Sequence, residues 1–175
     1  MDGGVPDGTF IAMWRSAFLL TFLALPGCTS APPPLQHTAE TPAALASAVL
    51  AAVSAGDAPT LASLALSEQE FRDHIWPALP AARPERNLPF SYVWGDMHQK
   101  SEASLRSSIA QHRGRALSLV DVRFGEATVY DGYTVHRDAV LVVRDADGAT
   151  EDLRLCGSMV EQLGRWKVFS YVVND

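Results

Sequence analysis

The chain has 175 residues, 47% apolar and 19% charged, with a formal net charge of −6. An acidic chain of this size carries one domain's worth of residues and disfavours a nucleic-acid duplex or an anionic lipid surface as a charge-driven partner. Two cysteines, Cys28 and Cys156, exclude a disulfide framework.

The apolar run from Ala17 to Leu25 has the character of the core of a secretory signal, and it is too short to cross a bilayer of about 30 Å as a helix. Asp2 and Asp7 make the segment before it acidic, whereas Met13-Trp14-Arg15-Ser16 reads as a conventional positive start. Translation is therefore expected to begin at Met13, an unusually long leader being the alternative. The run stops at Leu25-Pro26-Gly27-Cys28, which resembles the lipobox of bacterial lipoproteins. Leu25, Gly27 and Cys28 match that pattern, and Pro26 stands where a small residue is usual. The resemblance implies a signal peptide over residues 1–27, cleavage after Gly27 and a lipid on Cys28. Thr29, rather than Asp, implies sorting to an outer membrane in a host that has two. The plainer alternative is an ordinary signal cleaved nearby, with Cys28 left as a thiol. Removing Met1–Gly27 takes away Asp2, Asp7 and Arg15, leaving a net charge of about −5.

Residues 28–40 follow as the lipidated cysteine and a tether with Pro32-Pro33-Pro34 at its centre. Part polyproline II at ~3.1 Å per residue, it would let a domain stand roughly 30 Å from the bilayer. A single α+β domain is expected over residues 41–175.

Thr41 can cap a helix with Pro42 in its first turn, Leu45, Val49, Ala52 and Val53 on one face, and Gly56 as the stop. Asp57 can cap a short second helix carrying Leu61, Leu64 and Ala65. Ser67 and Glu70 form a capping box, with Leu66 and Phe71 at the positions of a hydrophobic staple, so a third helix is expected through Ile75 until Pro77 and Pro80 break it. Residues 81–100 read as a loop around Pro84 and Pro89. A fourth helix is expected from Ser101 to Gly114, with Glu102 and Arg106 paired and Leu105 and Ile109 inward.

Beyond Gly114 the period changes to two. Leu117–Phe124 alternates Val120, Val122 and Phe124 with Asp121 and Arg123. Tyr133–Arg144 and Thr150–Gln162 are two further strands joined by the turn Asp145-Ala146-Asp147-Gly148, and Arg165–Val173 is the last after Leu163-Gly164. Short links between consecutive strands predict one antiparallel, four-stranded sheet.

Ala55-Gly56-Asp57 with its following leucines, and Gly164-Arg165-Trp166-Lys167-Val168 near the end, resemble the nuclear-transport-factor-2-like, or cystatin-like, α+β superfamily. The resemblance implies N-terminal helices packed on a curved sheet to form a cone around a pocket. Members include steroid isomerases, dehydratases, cyclases, transport adaptors and domains without known activity, so it implies a fold and not a function.

Candidate site residues come from spacing. His112 falls on the inward face of the fourth helix, where it would be a general base or ligand contact, or instead cap the helix end. Trp94, Asp96 and His98 alternate, so an extended segment would let Asp96 orient His98 beside a flat apolar wall. A helix or surface loop would dissolve that alignment. Trp94, His112, Trp166 and Tyr171 are the residues expected to line a ligand pocket, Trp166 and Tyr171 alternatively being sheet packing. Asp73-His74 points its neighbours apart on a helix. His136, Arg137 and Arg154 either face an anionic ligand or lie on an outer face. The scattered histidines, His37, His74, His98, His112 and His136, lack zinc spacing, and the Asp145–Gly148 turn lacks the ligands of a calcium loop. Cys156 reads as a small buried hydrophobe.

These readings predict a lipid-anchored cell-envelope protein facing the periplasm or exterior, with no cofactor, no metal and no nucleic-acid partner. Its domain would bind a small apolar ligand or an envelope protein without catalysis. The alternatives are a small cofactor-free isomerase, dehydratase or cyclase using His112 or the Asp96 and His98 pair, and a structural protein with a filled core.

Overall fold

The computed structural model describes residues 33–173. The expected signal, Met13 and Cys28 lie outside the described residues.

The first three helices form where the caps place them. Helix α1 (Pro42–Ala55) starts at Thr41, whose hydroxyl accepts the Ala44 N–H, and ends at Gly56 in the left-handed region at φ 71°. Helix α2 (Ala58–Leu64) is capped by Asp57, which accepts from Thr60. Helix α3 (Glu68–Glu70) opens with the full capping box and widens into a turn over Phe71–Ile75, where the Trp76 N–H reaches back to the Phe71 carbonyl. Three short tight turns at Trp76–Ala78, Pro80–Ala82 and Pro84–Arg86 follow, one for each proline break.

Helix α4 (Phe90–His112) corrects the expected loop and the expected start at Ser101. Pro89 sits at its cap, where a missing N–H costs nothing, and Phe90, Val93, Trp94 and Met97 continue the apolar stripe toward Leu105. Gly95 lies inside this helix at a place where an added Cβ would meet open space.

The strands are β1 (Ser118–Arg123), β2 (Ala127–Tyr130), β3 (Tyr133–Arg137), β4 (Val140–Arg144), β5 (Thr150–Leu153), β6 (Ser158–Gln162) and β7 (Arg165–Ser170). The fold is α+β, and in place of one four-stranded sheet there are two antiparallel sheets, ordered β1-β4-β5 and β2-β3-β6-β7. Each expected long strand is broken by a residue that cannot continue the pleat. Asp138 adopts φ 53° between β3 and β4. Between β5 and β6, a Cβ on Gly157 would lie 1.6 Å from the Val172 carbonyl oxygen. Backbone bonds stitch the break, from Asp138 N–H to Gly157 and from Gly157 N–H to Ser170. The hairpin turns form as expected: Asp145 accepts the Asp147 and Ala149 amides, and Leu163 and Gly164 both take positive φ.

Alternation along β6 and β7 gives the larger sheet a core on each face. Met159 and Val168 join α1, α2, Leu141, Val143 and Cys156, while Val160 joins Phe71, Ile75, Tyr133 and Val135 with Phe169 packed alongside.

Candidate ligand-binding site

Position 167 is on the Phe169 side of β7, and Lys167 is buried there at 2% exposure. Its ammonium donates to the Gln36 carbonyl at 2.6 Å and to Glu70 Oε1 at 3.0 Å. Glu70, 8% exposed, reaches this point because the capping box fixes it: Oε2 accepts the Ser67 N–H at 2.8 Å while the Glu70 N–H returns to Ser67 Oγ. Glu70 Oε1 also accepts the Gln36 N–H at 2.7 Å. One buried acid and one buried base thus hold both backbone polar groups of a single residue. Burial disfavours the Glu70 carboxylate, but the Ser67 and Gln36 amides and the Lys167 ammonium outweigh it and hold its pKa below the ordinary glutamate range. Burial pushes the Lys167 pKa down against the pull of Glu70.

The segment that supplies Gln36 was expected to be tether, yet from Pro33 onward its described part is seated on the fold. The Pro33 carbonyl accepts from His74 Nε2 at 2.7 Å, which places a hydrogen on that nitrogen and leaves Nδ1 toward the Gln162 amide at 3.3 Å. Ala39 and Trp166 exchange two backbone bonds, both at 2.8 Å. Arg165 donates to Thr38 and pairs with Glu40. Proline-rich backbone forms no ladder of its own, so its amides and carbonyls are free for such side chains.

Between this strap, α2 and the start of α3 lies a cavity of about 420 Å³. Pro33, Pro34, Ala62 and Ala65 give it apolar walls, and Glu70 and Lys167 lie at its charged end. Asp73 and His74 also line it, but Asp73 accepts from Gln69 and not from its neighbour, as their divergence on a helical turn requires.

The sequence candidates lie elsewhere. On α4, Trp94, Asp96 and His98 do not share a side, because alternate residues on a helix diverge. Trp94 instead stacks on His98, four residues on, at 5.2 Å, and Asp96 accepts from Lys100 at 2.7 Å, raising the lysine's pKa. His112 ends α4 with Nδ1 accepting from Arg115 at 3.1 Å, and Arg115 is also paired with Glu151. Burial and the Arg115 charge lower the His112 pKa against the opposing effect of Glu151. His112 lines a separate surface groove with Arg154 and three serines. Arg137 borders another depression beside Asp138 and Ser158. Trp94 and Tyr171 both line a space of about 40 Å³ beneath α4, where the Tyr171 hydroxyl donates to the Leu61 carbonyl and burial raises its pKa. Trp166 packs against His136 at 4.6 Å and near Phe124. Cys156 is buried, its thiol pushed up to about 12 by desolvation, as suits a core residue. Among the described residues no three His, Cys, Asp or Glu side chains gather to hold a metal.

Sequence reasoning missed Glu70 and Lys167 as a site. A lysine whose register puts it on an inward face beside Phe169 was the available signal. Comparison of the chain with protein-family models, with curated proteins and with solved structures finds no match.

Proposed function

We propose that this is a lipid-anchored cell-envelope protein, held on the membrane through Cys28, whose cone-shaped, cystatin-like domain binds a small ligand with an apolar body without transforming it. The observation that carries the reading is the cavity of about 420 Å³ beside the buried Lys167 and Glu70, a volume in the range of small-molecule sites. Its walls offer apolar contact, and its buried charged groups, Glu70 and Lys167, are already committed to one another and to Gln36, while Asp73 accepts from Gln69 and His74 donates to the Pro33 carbonyl. A general base needs a free lone pair within reach of substrate, and Glu70 spends its oxygens on two amides and an ammonium. That favours holding over chemistry. The Leu25–Cys28 pattern supports the anchor.

Native mass spectrometry of protein extracted from its own membrane should show a small-molecule mass beyond chain and lipid. Ser63→Trp, which fills the cavity from α2, should abolish it. A wild-type mass explained by chain and lipid alone overturns the binding reading.

A further inference from the structure

We propose that the strap from Pro33 to Glu40 is a releasable latch, which closes one wall of the cavity when docked on Glu70 and Lys167 and opens it by local detachment while the rest of the domain stays folded.

Three features make the strap separable. Most of its attachments are hydrogen bonds that water can replace: Gln36 to Glu70 and Lys167, Pro33 to His74, Thr38 and Glu40 to Arg165, and Ala39 to Trp166. Its apolar contacts are Leu35 against the cluster around Phe71 and Val160 and Ala39 against the cluster around Met159 and Val168; both are only partly covered and no strap side chain is fully buried, so the apolar area that resists opening is limited to these two. His37 holds φ 49°, a left-handed conformation that a side chain disfavours and that detachment relieves.

The charged floor acts in the same direction. An apolar floor exposed by a departing strap would penalise the open state through the hydrophobic effect. Lys167 and Glu70 regain hydration instead, recovering part of what their burial cost. A buried ion pair of this kind adds little net stability for its specificity, and the specificity here is for the backbone of Gln36.

Pro33, Pro34, Gln36 and His37 line the cavity, so strap docking and ligand occupancy are one linked equilibrium if the binding reading above holds.

Amide hydrogen exchange on the mature full-length chain tests the latch directly. The amides of Gln36, Ala39 and Trp166 should exchange together through a local opening, with protection on the order of 100-fold below that of Met159 and Val160 in β6. Equal protection in strap and β6 would show that the strap leaves only on global unfolding, and would overturn the proposal. Lys167→Met supplies a second arm. Strap protection should vanish in that variant while β6 keeps its protection to within about tenfold, and loss from both together would again overturn it. These amides report on the strap whether or not the cavity takes a ligand, so failure of the latch and failure of the binding reading are distinguishable.

Discussion

Lys167 and Gln36 meet ammonium to carbonyl at 2.6 Å although 131 positions separate them in the chain. The contact joins the last strand to a segment ahead of the first helix, and Glu70 completes it by taking the Gln36 amide hydrogen and pairing with Lys167 at 3.0 Å. The strap and the cavity beside it both depend on this three-residue arrangement.

Breaking the pair from one side should cost more than removing both charges. Glu70→Ala leaves a buried ammonium without its partner and should destabilise by about 3 kcal/mol. Lys167→Met frees the Gln36 carbonyl and with it the strap, leaves Glu70 its Ser67 amide and renewed contact with water, and should cost about 1 kcal/mol. In urea unfolding the double variant should be clearly less destabilised than the sum of the two, whereas strict additivity would mean that the pair does not interact.

Acid should weaken the same contact. The Glu70 pKa lies below its ordinary value of 4.5, so in the window below 4.5 the unfolded chain binds more protons than the folded one and stability rises with pH. Its contribution is complete above 4.5 and is lost as pH falls through the folded value. Lys167 faces the carboxylate from β7, while Asp73, His74 and His37 line the same cavity. The Gln36 amide chemical shift should therefore show an acid transition that Glu70→Gln removes, and its persistence in that variant would assign the step to one of those neighbours.

At His112 the structure places an accepting nitrogen beside Arg115. His112→Gln should change stability by less than about 1 kcal/mol, since an amide oxygen also accepts. The lowered imidazole pKa means that protonation costs the fold. Its contribution is present above the unfolded value near 6.5 and declines as pH falls below it. Thermal melts of wild type and variant across pH 5 to 8 check both statements, and a large loss in the variant at neutral pH would contradict them.

Gly157→Ala should be among the most damaging single changes, at least about 3 kcal/mol, because the new methyl meets the Val172 carbonyl at 1.6 Å where the two sheets part. A variant that melts with wild type would show that this bend is adaptable.

Cys28→Ser tests the anchor. It should remove the lipid mass and shift the protein out of the membrane fraction or leave its signal uncleaved. An unchanged mature mass with unchanged fractionation would exclude lipid attachment at this position.

Local chemistry wrote much of the fold. Thr41, Asp57 and the Ser67–Glu70 box start their helices because a side-chain oxygen three residues from an amide needs no tertiary help. The Asp145 and Leu163-Gly164 turns follow from the same short reach. The α+β order, with helices before antiparallel strands, was legible in the change of period after Gly114, whereas the division into two sheets was not. What escaped depends on distant partners. The first half of α4 has its apolar stripe, but whether a helix crosses Gly95 is decided by what Trp94 and Met97 pack against. The bend at Asp138 and Gly157 depends on a carbonyl from the end of the chain. The candidate site is the extreme case. Glu70 announces only a helix cap, Lys167 only an oddly placed base, and a prolyl segment only a tether. Only the tertiary structure joins them, because a buried charge is tolerated solely where its counter-charge and the remaining hydrogen-bond partners arrive together from elsewhere in the chain.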